Sequence, residues 1–171
     1  MTPALAIPPI DWALLSPFLL LTAGAMIVTL IAVGPRSWRR HTGWVAMAAL
    51  VAPAWATVQL WSAPVGAPMQ TMSGMIVMDH FSLCFHLIFL ATAALTILVS
   101  MPSLADLHLE YAEFYALILF AASGMMLMSA SSNMLILFLG LEILSLPLYV
   151  LVGFARRQER ALESSMKYFL L

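Results

Sequence analysis

Glu142 is the residue best placed to do chemistry: a carboxylate about halfway along the apolar run Asn133–Gly153. An ionisable side chain at that depth costs about 2.5–3.5 kcal/mol on insertion scales, and such residues usually face a bundle interior and mark ion or proton paths. Ser145 and Tyr149 follow it at i+3 and i+7 and share its helical face. Pro147 brings no N–H, so the carbonyl of Ile143 loses its normal donor. Two hydroxyls and a freed carbonyl can hold water. A carboxylate beside that water can take and release protons, because burial favours its neutral form and a nearby cation its charged form. The blander reading is a protonated Glu142 that hydrogen-bonds a neighbouring helix. Taken alone, Ser145 and Tyr149 fit ordinary interhelical hydrogen bonds of about 0.6 kcal/mol each.

Lys167 is the second candidate. If its helix starts near Ala161, Lys167 lies about 9 Å into it, while Glu142 lies about 16 Å from the same face of the membrane. That gap allows a water-bridged pair if the helices face each other. Snorkelling to the interface is the equal alternative. Glu163 precedes Lys167 by four residues, the favourable order on a helix. Of the histidines, His80 and His86 are six apart and share no face, so they make no i, i+4 metal pair. His86 fits an interhelical hydrogen bond better than a proton relay. The 13 methionines are scattered, as packing and lipid contact require. Cys84 is the one cysteine, which rules out an intrachain disulfide and a Cys-based metal site. No Gly-rich phosphate loop, nucleophile elbow or CxxC occurs, so neither a metal nor a redox cofactor nor a nucleotide is expected on these residues.

The scaffold for these side chains must live in lipid. Of 171 residues 63% are hydrophobic and 9% charged, with a mean hydropathy of +1.00. Soluble domains carry about 25% charged residues. The net charge is −1 and there is no basic stripe, which gives no footprint for nucleic acid. Five apolar runs, Leu14–Val33, Gly43–Trp61, Phe81–Ser100, Phe114–Ala130 and Asn133–Gly153, are each long enough to span, and a sixth begins near Ala161. The runs are too long for barrel strands and do not alternate, so the expected fold is all-α: a polytopic transmembrane bundle of five full helices plus the start of a sixth.

Punctuation refines this. Pro17 is expected in the first turn of its helix, and Pro53 and Pro147 are expected to kink theirs. The stretch Ala63–Met78 is the longest loop, with a strand or hairpin expected over Gly74–Asp79. Arg36, Arg39 and Arg40 follow the first run, and Arg156, Arg157 and Arg160 follow the fifth. With five crossings both clusters fall on one face, which the positive-inside rule makes cytoplasmic, with the N-terminus outside. Asp106, His108, Glu110 and Glu113 make one inner loop acidic, read as a solvated loop. The segment before the first run has no Lys or Arg, so that run is read as a retained helix and not a secretory signal.

The segment "NMLILFLGLEILSLPLYVLVG" (133–153), followed by "RRQERALESSMKYFLL" (156–171), resembles subunit N of bacterial respiratory complex I, the proton-pumping NADH-quinone oxidoreductase. The region Met75–Ser100, with Val77-Met-Asp79, also fits, and the first two runs fit by arrangement. The resemblance implies an antiporter-like subunit built on two inverted repeats of five helices. Residues 1–112 would then hold the three helices that precede the first repeat, and 113–171 its beginning. It also implies that Glu142 is the buried glutamate of the proton path, that Lys167 is the lysine of the next helix, and that the setting is the bacterial inner membrane. The partners implied are the other membrane-arm subunits, lipid and protons, with flavin, iron–sulfur clusters and quinone on other subunits. The family's central lysines lie on later helices, so these residues are expected to be an N-terminal part of a longer chain. Two other readings remain: a subunit of a multisubunit cation/proton antiporter or membrane-bound hydrogenase, or a non-pumping structural fragment.

Overall fold

The computed structural model describes residues 10–35, 38, 41–62, 69–106 (without the side chains of 105 and 106), 112–154 and 167. Among the described residues six helices make five spans: α1 (Trp12–Val33), α2 (Thr42–Ala49) and α3 (Val51–Trp61) as two parts of one crossing, α4 (His80–Asp106), α5 (Ala112–Ser129) and α6 (Met134–Val152). A hairpin of β1 (Met69–Thr71) and β2 (Ile76–Met78) joins α3 to α4. The five expected runs are the five spans, with ends shifted by a few residues. The arginine clusters, His108 and Glu110 of the acidic loop, Glu163 and the expected start of a sixth helix near Ala161 lie outside the described residues, while Asp106 ends α4 and Glu113 lies in the first turn of α5. Lys167 is described as helical.

Pro53 acts where its missing N–H predicts. The second span breaks at Leu50, three residues before Pro53, whose ring cannot coexist with a straight helix through Ala49. Pro17 is a correction: α1 starts at Trp12, so Pro17 sits in the second turn. The carbonyl it fails to serve, that of Ala13, accepts the Ser16 hydroxyl at 2.7 Å instead. The helix therefore begins earlier than the apolar run, because Asp11 caps it, accepting the Ala13 N–H at 3.0 Å. α6 stays one helix through Pro147.

Every connection at one end of the bundle meets the hairpin. The Asp11 N–H donates to Thr71 Oγ1 at 2.8 Å, the Val77 N–H to the Ala130 carbonyl at 2.8 Å, and the Ser132 N–H to the Met75 carbonyl at 2.9 Å. Asp79 and Ser82 cap each other's N–H groups at the start of α4, at 2.7 and 3.0 Å. The start of α1, the end of α3, the start of α4 and the link from α5 to α6 thus share one face, as strict up-and-down crossing requires. At the other face Phe114 meets Phe154 edge-on, with ring centroids 5.4 Å apart. The hairpin starts earlier than expected, at Met69. Its turn holds Met72, Ser73 and Gly74 at φ of 53°, 57° and 82°.

α5 is the hub. It is 61% buried, against 17% of the apolar stretch of α6, and it packs on α1, α2, α4 and α6. Its buried residues Leu119, Ala122 and Met126 meet Leu21, Ala25 and Val28 of α1 and Leu90, Ala93 and Ile97 of α4 in one core. α6 adds its own cap: Asn133 Oδ1 accepts the Leu135 N–H at 2.8 Å. Asn133→Ala is expected to cost about 1 kcal/mol, as N-cap removals do. The check is a lower thermal midpoint for the detergent-purified protein, with Asn133→Ser close to wild type.

Candidate proton-transfer site

α6 seats on α5 through glycine. A Cβ built on Gly124 of α5 would lie 2.6 Å from the Leu144 nitrogen and 2.8 Å from the Gly140 carbonyl oxygen. One built on Gly140 would lie 3.0 Å from the Met128 nitrogen and 3.1 Å from the Gly124 oxygen. At Gly124 main chain meets main chain, and at Gly140 the Met128 Cγ lies nearest the built Cβ, at 2.7 Å, with main-chain atoms close behind it, the small-residue packing that membrane helices use to approach closely. Sequence reasoning did not select Gly124 and Gly140; a glycine inside each of two consecutive apolar runs was the available signal.

This contact decides where Glu142 points. At 3.6 residues per turn, Gly140, Ile143, Leu144, Pro147 and Leu151 lie within about 60° of one direction, and Glu142 lies roughly 160° from Gly140. Ser145 and Tyr149 lie beside Glu142. The polar stripe expected from spacing is therefore real, but it lies on the side of α6 away from α5 and does not look into the five-span bundle. Glu142, Ser145 and Tyr149 are half-buried, and Pro147 is buried. The Ser145 hydroxyl bonds back to the Glu142 main-chain carbonyl at 3.3 Å and leaves the carboxylate alone. Lys167 is exposed. Phe138 and Leu141 continue the outward side of α6 toward the hairpin face and line a shallow apolar groove with Met134, Leu135 and Leu137.

A second ionisable group within the spans, His86 of α4, is fully buried. Its Nε2 lies 3.0 Å from the Met126 carbonyl of α5, the interhelical hydrogen bond expected of it.

Relatives decide the family. The chain is 39% identical to NADH-quinone oxidoreductase subunit N 2 of Roseiflexus castenholzii over 98% of its own length, which is 33% of that protein. It is 37% identical to subunit N 1 of Koribacter versatilis over 94% of its length, again 33% of the relative. The chain belongs to the NADH-quinone oxidoreductase subunit N family. It spans about a third of the length of the subunit N relatives it matches. Residues 131–171 also match the family described as NADH:quinone oxidoreductase/Mrp antiporter, TM. A chain of respiratory complex I from Thermus thermophilus with bound aureothin superposes with a TM-score of 0.68 at 28% identity, over 90% of this chain and 32% of that one. As a subunit N family member with five apolar spans, the chain is a multi-pass membrane protein.

Proposed function

We propose that these residues form part of a membrane-arm subunit of a bacterial NADH-quinone oxidoreductase, and that Glu142 carries protons there. The observation that bears most weight is the carboxylate on the outward side of α6. Such a group cannot face hydrocarbon bare at a cost of about 2.5–3.5 kcal/mol. It needs polar cover or water, and a half-channel supplies both. The similarity to subunit N proteins supports that setting. Glu142 binds the proton, Ser145 and Tyr149 border it with hydroxyls, and Pro147 removes a main-chain donor one turn away. Lys167 supplies a positive charge on the following helix, whose approach favours the ionised carboxylate. Residues 113–171 open the antiporter-like unit, and the match over 131–171 falls inside it. The chain performs no redox step itself. Flavin, iron–sulfur clusters and quinone belong to other subunits of the complex, and those subunits, the lipid of the inner membrane and protons are its partners.

The matched family's description also covers Mrp antiporters. The experiment that separates the two uses inverted membrane vesicles from cells with and without the gene carrying this sequence. Loss of NADH-driven acidification, with sodium-driven proton exchange intact, is the expected result. Loss of sodium-driven exchange alone would replace the oxidoreductase reading with the antiporter one.

A further inference from the structure

We infer that His86 is a positioning residue for Glu142, acting through the Met126 carbonyl near the end of α5. The ring is fully buried, and a carbonyl only accepts, so Nε2 carries the proton of this bond. The Met126 carbonyl is crowded with donors. Besides His86 at 3.0 Å it takes the Ser129 hydroxyl at 2.9 Å and the Ala130 N–H at 3.3 Å. This is the last turn of α5, just before the link that the hairpin holds at Ala130 and Ser132. The other ring nitrogen, Nδ1, is buried with no partner among the described residues. A histidine kept in an apolar core at the expense of one unpaired acceptor is explained by the single bond it does make.

That bond is placed to reach Glu142. α5 presents His86 with Met126 and presents α6 with Gly124 and Met128. A Cβ on Gly124 would lie 3.0 Å from the Ile143 carbonyl carbon and 2.6 Å from the Leu144 nitrogen, the two residues that follow Glu142. Main chain touching main chain has no rotamer to absorb a shift. A change in how α4 holds the end of α5 is passed to α6 and turns the carboxylate on its far side. His86 needs no charge for this; its N–H is sufficient.

The inference rests on the proton-carrying role of Glu142, and the test separates the two. Three variants are made in the complete oxidoreductase, in sealed vesicles: His86→Gln, whose amide N–H reaches where Nε2 does; His86→Asn, whose amide ends one position short; and His86→Leu, with no donor. Protons moved per NADH oxidised are measured together with uncoupled NADH oxidation and the amount of assembled complex. Leu and Asn are expected to lower the proton ratio at least twofold with uncoupled oxidation unchanged, and Gln to restore it. A wild-type ratio in Leu and Asn overturns the inference, as does a Gln variant as poor as Leu. Loss of assembly in Leu and Asn, with Gln assembling, reduces His86 to a folding role and overturns it too. Glu142→Gln is run alongside. A normal ratio there defeats the Glu142 reading, whereas a low ratio there with normal His86 variants defeats this one alone.

Discussion

Glu142→Gln is expected to lower NADH-driven proton movement into inverted vesicles by about tenfold or more, while NADH oxidation with an uncoupler present changes little. Glutamine keeps the size and a hydrogen-bonding end but cannot take or release a proton. Side chains that transfer protons contribute about 10²–10⁴-fold to the steps they serve, so a tenfold loss is a modest demand. Uncoupled oxidation survives because the electron carriers are proposed to sit on other subunits. Glu142→Asp keeps the acid and shortens the arm by one methylene, so its loss should be smaller than that of Gln. Equal losses in Gln and Asp would mean that shape and not protonation matters at this position.

The second large effect is on packing. Gly124→Leu is expected to prevent stable accumulation of the subunit. The new Cβ alone would lie 2.6 Å from a main-chain nitrogen and 2.8 Å from a main-chain oxygen of α6, and neither can swing aside. Overpacking costs about 1–3 kcal/mol even where side chains can adjust. At about 1.4 kcal/mol per factor of ten, the upper end shifts the α5–α6 packing equilibrium about a hundredfold. Gly43→Ala is the control. Its Cβ would meet the terminal methyl of Met101 at 2.8 Å, the far end of a flexible side chain. Any strain there is offset by up to about 1 kcal/mol of helix propensity, so the net change should stay within about 1 kcal/mol. The amounts of each variant assembled in membranes, and their thermal midpoints in detergent, decide between them.

The spans were legible because lipid leaves few options: a run of about 20 apolar residues must satisfy its own backbone, and only a helix does so locally. The break in the second span was legible from Pro53 for the same reason, since the lost N–H is a property of one residue. Glu142 was legible as a candidate because a charge amid apolar residues stands out. Its direction was not. That depends on Gly124 meeting Gly140, a contact between helices that neither run announces alone. The start of α1 was set too late because Asp11 caps a helix whose first turn precedes the apolar run. The hairpin was half legible: β2 falls within Gly74–Asp79, but β1 is fixed by partners distant in sequence, Asp11 pairing with Thr71. His86 could be read as a hydrogen-bonding group, while its partner, a main-chain carbonyl on α5, carries no sequence signal at all.

The most direct test of proton binding at Glu142 is redox-difference infrared spectroscopy of the complete oxidoreductase, in H2O and in D2O. The expected result is a carboxylic-acid carbonyl band that appears or disappears on reduction by NADH, shifts in D2O and is missing from Glu142→Gln. A difference spectrum in which every D2O-sensitive carboxyl band survives Glu142→Gln would show that this carboxylate does not exchange a proton during turnover.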